Sequence, residues 1–184
     1  MNDLQKIFDN CKALYKWCYN DVKAMAKLVS RTFTNIDPKI TTIKFDIILQ
    51  YSLLQIAVAD FDFDSNELIF IRDLTEQGDF VEFMNAGAKT NFSWNDFFNT
   101  NIISIREILR DTYDLMNELS EEFVAVFALC DKVTEHDFLA DLEKNIFLII
   151  SGLSIMDGEI TKSECNESCL IIESINRIRD LKNN

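Results

Sequence analysis

The sequence predicts an all-α fold, a compact helical bundle, on three observations. A single proline, Pro38, and four glycines, Gly78, Gly87, Gly152 and Gly158, interrupt 184 residues, so little in the chain breaks a long helix. Apolar residues return every three or four positions along most of its length. No run of alternating polarity is long enough for a strand. At this length one domain, residues 1–184, can bury a self-sufficient core without disulfides or structural metal.

The elements follow in order. Leu4, Ile7, Phe8, Cys11, Leu14, Tyr15, Cys18, Val22, Met25 and Val29 form the apolar stripe of a first helix. Opposite them Lys12, Lys16, Lys23 and Lys27 project together, either as a solvated face or as a docking surface for an anionic partner. Asp37-Pro38 is a cap and first turn, opening a second helix through Phe45, Ile48, Leu49, Leu53, Ile56 and Ala57. Asp64-Ser65-Asn66-Glu67 has capping-box spacing and starts a third helix, carrying Leu68, Ile71 and Leu74, that is expected to end near Gly78. A short helix over 79–86 and a loop around Gly87 come next. Ser93-Trp94-Asn95-Asp96 reads as the cap of one turn, followed by a helix with the stripe Ile105, Ile108, Leu109, Thr112, Met116 and Leu119. Phe123 to Leu129 either continues that helix or restarts it. Thr134-Glu135-His136-Asp137 resembles a further cap before a helix through Leu142, Ile146, Ile149 and Ile150, and a last helix runs from about Lys162 to Leu181.

Composition narrows the function classes. The net charge is −13, and the first 44 residues carry eight of the 18 basic residues but four of the 31 acids. The rest of the chain is therefore strongly acidic and would repel phosphates, which argues against nucleic acid and leaves a protein partner. No apolar run reaches the length of a membrane span, and the start shows no basic stretch leading into an apolar one, so a cytoplasmic location is expected. Cys11, Cys18, Cys130, Cys165 and Cys169 stand at helical spacing among apolar residues and read as reduced core thiols. Cys165-x-x-x-Cys169 is not a zinc knuckle, and His136 is the only histidine.

One segment occurs twice. Asp60-Phe61-Asp62-Phe63-Asp64-Ser65-Asn66-Glu67 aligns without a gap to Asp157-Gly158-Glu159-Ile160-Thr161-Lys162-Ser163-Glu164, at the offset of 97 that separates Asp60 from Asp157. The shared pattern is acid, any, acid, apolar, cap, any, any, Glu. At the same offset Phe45 meets Leu142, Asp46 meets Glu143, Leu49 meets Ile146, Leu53 meets Ile150 and Ile56 meets Leu153. This predicts an internally duplicated helix-turn-helix unit, residues 44–77 and 140–180. Phe63 or Ile160 would staple the two helices, Asp64 or Thr161 would cap the second, and Glu67 or Glu164 would close the box. Asp60 and Asp62, like Asp157 and Glu159, fall where a preceding helix ends. There the unpaired carbonyls disfavour an anion by about 0.3–1 kcal/mol, so a positive group is expected nearby. Solvated capping turns and a Ca²⁺ or Mg²⁺ site are both compatible with this pattern. An EF-hand is not, because its sixth position would be Ser65 and its twelfth Ile71.

A helix closing on a small or apolar residue, then Asp-Gly-acid-apolar-cap-x-x-Glu, resembles the signature of the TerB-like family, named for bacterial tellurite resistance. Met156-Asp157-Gly158-Glu159-Ile160-Thr161-Lys162-Ser163-Glu164 is the fuller match. Ala57-Val58-Ala59-Asp60 with Asp62, Asp64 and Glu67 is the other, departing at Phe61 where the family commonly has Gly. The resemblance implies a helical bundle with internal pseudo-two-fold symmetry, a role in tellurite or other stress responses, and metal at the paired acidic turns. Carried over by position, the implied ligands are Asp60, Asp62 and Glu67 with Asp157, Glu159 and Glu164. The expectation is a non-enzymatic protein binding a divalent cation, or else a helical protein–protein interaction module with no metal site. There is no Gly-rich phosphate loop and no Ser-His-Asp constellation, and His136 lies in an expected capping turn.

Overall fold

A computed structural model of the chain describes residues 3–61, 64–75, 79–89, 93, 94, 96, 100–135, 137–156 and 160–183, with backbone only at 175, 178, 179 and 181–183. Seven helices make up the described fold: α1 (Asp3–Ser30), α2 (Pro38–Ala57), α3 (Ser65–Leu74), α4 (Asp79–Ala88), α5 (Ile102–Thr134), α6 (Phe138–Leu153) and α7 (Lys162–Asn183). No strand occurs among the described residues. The all-α expectation holds.

The organising element is α2, which packs against all six other helices. Its 20 residues include 14 that are buried, on every side of the helix. A helix apolar all round belongs in the middle of a bundle. Its start is fixed by Asp37, whose carboxylate accepts the Lys39 N–H at 2.8 Å, with Pro38 in the first turn. Around it α1 buries Cys11, Tyr15, Cys18, Val22, Met25, Ala26 and Val29, close to the stripe read from the sequence. A chain of rings ties α1, α2 and α5 together. Tyr15 stacks on Phe45 at 6.3 Å, Phe45 on Phe123 at 6.1 Å, and Phe123 lies 4.7 Å from Phe127.

The stretch from Ile105 to Leu129 is one continuous helix, so the choice between continuation and restart is settled for continuation. Asn101 caps α5 by accepting the Ser104 N–H at 3.0 Å, and Glu135 ends it in the left-handed region at φ 56°. Of the four residues read as the next cap, Thr134 closes α5 and Asp137 caps α6, accepting the Ala140 N–H at 3.0 Å. His136 lies outside the described residues. The Ser93 cap is also present, its N–H and hydroxyl both donating to Asp96 Oδ2, at 2.9 and 2.7 Å.

Four local expectations are corrected. Helix α3 stops at Leu74, well before Gly78, because Thr75 turns extended at ψ 154°. Gly87 is not in a loop but in the last turn of α4, where a Cβ would stand 2.4 Å from Thr112 Cγ2 on α5. The glycine is there to let two helices approach. Lys12 does not share the solvated face of Lys16, Lys23 and Lys27; its ammonium donates to the Asp73 carbonyl at 3.1 Å, meeting the negative end of α3. Finally, Cys165 and Cys169 are exposed on α7, while Cys11, Cys18 and Cys130 are the core thiols. Burial pushes Cys11 up to about 11 and Cys18 up to about 12, so both stay protonated and unreactive.

Candidate functional site

The first acidic corner is built between α2 and α3. As α2 closes, the Ala59 N–H donates to the Ile56 carbonyl at 3.0 Å and the chain turns through Asp60, half-buried, to Phe61. Phe61 stands at φ 70°, in the left-handed region that favours glycine. Thus the bulky residue does not prevent the turn; it adopts the glycine-like conformation. Its exposed ring lies under the Arg106 guanidinium, 3.9 Å from the Cζ atom, and that guanidinium also donates to the Val58 carbonyl at 3.0 Å. The positive group expected at this helix end is therefore an arginine from α5. Beyond the turn, Asp64 caps α3 by accepting the Asn66 N–H, and its own N–H donates to Glu67 Oε2 at 3.0 Å.

At the second corner, between α6 and α7, the described bonds recur in the same register. The Met156 N–H donates to the Leu153 carbonyl at 2.8 Å, where Ala59 and Ile56 stand in the first. The Thr161 N–H donates to Glu164 Oε2 at 2.7 Å, and the Glu164 N–H returns to Thr161 Oγ1 at 3.2 Å. Glu67 and Glu164 are each 1% exposed. Carboxylates so deeply buried need hydrogen bonds, and the capping box supplies one to Oε2 of each.

Of the six expected ligands, Glu67 and Glu164 are thus the closing residues of capping boxes, each turned onto its own helix start. Asp60 stands at the end of α2. Asp62, Asp157 and Glu159 lie outside the described residues. Among the described residues no group of three or more His, Cys, Asp or Glu side chains gathers.

Sequence reasoning missed two features. One is a cleft of about 380 Å³ between α2, α5 and the first turns of α7, whose lining includes Arg106, Arg110, Tyr113, Ser163, Asn166 and Glu167. Only the spacing Arg106-x-x-x-Arg110, which puts both cations on one face of a helix, could have pointed to it. The other is Asp46, 1% exposed in the middle of α2. Its Oδ1 accepts the Tyr15 hydroxyl at 2.8 Å, while Oδ2 and both amide atoms of Gln50, one turn on, have no hydrogen-bond partner among the described residues. Burial pushes the Asp46 carboxyl up to about 7; the Tyr15 bond opposes this and the Asp79 carboxylate adds to it.

Fold and site together define an all-helical protein with two box-capped acidic corners and a basic cleft beside them. Comparison with protein-family models, with curated proteins and with solved structures found no match. No helix among the described residues is long and apolar enough to cross a membrane.

Proposed function

We propose that the chain is a non-enzymatic, TerB-like helical protein of a bacterial stress or tellurite-resistance pathway that takes a divalent cation, Ca²⁺ or Mg²⁺, at the corner between α6 and α7. What supports this reading is the sequence of the second corner, set beside the geometry of the first. The first has its own counter-charge in Arg106 on the Val58 carbonyl. The second sets Asp157 and Glu159, in sequence, between the last carbonyls of α6 and the cap of α7, with the Gly158 that the resemblance calls for. Hard cations are met by carboxylate and carbonyl oxygens of this kind. Glu67 and Glu164 then frame the corners through their boxes, and Asp60 and Asp62 are secondary.

Melting the EDTA-treated protein with and without millimolar CaCl₂ or MgCl₂ tests the reading. A cation in about tenfold excess over its Kd raises Tm by about 3 °C. The Asp157→Asn, Glu159→Gln double variant loses that rise. No rise in the unaltered protein, or an equal one in the variant, overturns the proposal.

A helical interaction module is the second reading, favoured by the outer face of α1. Lys16, Lys23 and Lys27 are exposed there beside an exposed Trp17, on a chain of net charge −13. Removing α1 would strip the core, so the test replaces the three lysines by glutamate. Unchanged capture of binding proteins from native extract by the folded variant counts against this reading.

A further inference from the structure

We propose that the cleft between α2, α5 and α7 binds a small molecule through a phosphate or carboxylate oxyanion, held by the Arg106 and Arg110 guanidiniums. Two cations one turn apart line it on a protein with 13 more acids than bases. Guanidinium groups pair oxyanions bidentately, and Arg110, open to water and paired with the exposed Asp111, can exchange that partner for an incoming anion. Arg106 is held by the Val58 carbonyl and the Phe61 ring. A side chain so fixed loses little freedom when an anion arrives.

The other lining groups complement that anion. Tyr113, Ser163 and Asn166 bring hydrogen-bond donors to the wall. Ser163 lies in the first turn of α7, whose leading N–H groups carry the positive end of a 22-residue helix. Tyr51 also lines the cleft, its hydroxyl spent on the Leu109 carbonyl at 2.8 Å, which leaves the ring as an apolar wall. The volume, about 380 Å³, is that of a metabolite site. Glu167 is the one carboxylate among the described lining residues. Burial pushes it up from its ordinary value and Arg106 opposes that shift, so its charge is the unfavourable element facing an incoming anion.

The opposed signs of these groups make the test specific. The protein is melted in inorganic phosphate, in malonate, and in sodium chloride of equal ionic strength. A saturable rise in Tm of about 3 °C over chloride is expected from at least one oxyanion, corresponding to about tenfold excess over Kd. A rise with phosphate alone assigns a phosphorylated ligand, and a rise with malonate alone a carboxylic acid.

Arg110 is 73% exposed along its side chain and, among the described residues, bonded to its exposed neighbour Asp111, so Arg110→Ala leaves the core intact. That variant should weaken binding at least tenfold. Glu167→Gln should tighten it several-fold. The inference is overturned if neither oxyanion acts beyond chloride, or if Arg110→Ala and Glu167→Gln both leave the affinity unchanged. The cation proposal involves Asp157 and Glu159 and fails or stands separately.

Discussion

Replacing Asp46 by asparagine should stabilise the protein at pH 8 and leave it nearly unchanged at pH 5. In the unfolded chain an aspartate titrates near ~3.9. In the fold, burial among α1, α2 and the start of α4 holds Asp46 up to about 7. Between those values the native state keeps a proton that the unfolded state has released. Stability tied to this group is therefore complete below about pH 4 and lost as the pH rises through 7. Three units correspond to about 4 kcal/mol. Asparagine keeps the Oδ1 acceptor for the Tyr15 hydroxyl and carries no charge. Its amide adds a donor where Oδ2 has no partner, one turn from the equally unpartnered Gln50 carbonyl oxygen. Side chains four apart on a helix can meet, and failure to meet would cost about 1–3 kcal/mol.

The net expectation is a gain of about 2 kcal/mol at pH 8, or about 4–8 °C in Tm. Urea unfolding followed by far-ultraviolet circular dichroism at pH 5, 6.5 and 8 measures it, taking the difference between variant and unaltered protein at each pH. The difference cancels the other carboxylates whose values are displaced, Asp21 and Glu167 upward and Asp73 and Asp96 downward. A difference that stays flat from pH 5 to 8 refutes the reasoning. Tyr15→Phe is a second check. It removes the bond that lowers the Asp46 value, so the loss of stability should be shifted to higher pH.

Two further outcomes follow from close contacts. Gly152→Ala would set a Cβ 2.2 Å from Cys11 Sγ, where α6 meets α1, so overpacking of about 1–3 kcal/mol should outweigh alanine's better helix propensity. Urea unfolding of the Gly152→Ala, Cys11→Ala double variant should show the two changes coupling favourably, and strict additivity would count against the contact. At the first corner, Phe61→Ala keeps the positive φ and loses the ring under Arg106, for a loss of about 1 kcal/mol. Phe61→Gly loses the same ring but removes strain of similar size, so its stability should lie within about 0.5 kcal/mol of the original. If thermal melts rank alanine above glycine, the backbone does not hold that φ.

Periodicity carried most of the helix reading because it depends on neighbours three and four residues away, which a single sequence contains. It gives the spacing of a stripe but not always the side that faces inward. On α7 the buried positions include Glu164 and Ser168, whereas Cys165 and Cys169 on the adjacent rows face out. Thus the thiols were assigned to a core that lies on another face. On α2 the stripe Phe45, Ile48, Leu49, Leu53 described one side of a helix that buries Ile47, Tyr51 and Leu54 as well. A helix with partners all round has no single apolar face, and nothing in its own pattern reveals Asp46 and Gln50 as interior.

The caps were legible for the opposite reason, since each is closed by residues within three positions of one another. Asp64 with Glu67 and Thr161 with Glu164 needed no knowledge of the rest of the fold. What the end of α2 required, a positive group, was equally local, but what supplies it was not. Arg106 stands 48 residues beyond Val58 and reaches it because α5 packs on α2. Gly87 makes the same point. In isolation it reads as a break, and against Thr112 it is the space that lets α4 lie on α5. The same packing that brings Arg106 to the first corner carries Arg110 to the cleft wall one turn further along α5, opposite the start of α7. The basic cleft is thus a consequence of how the corner is neutralised. A sequence in which that corner bound a metal instead would have no need of an arginine at 106, and its cleft would lose half its positive charge.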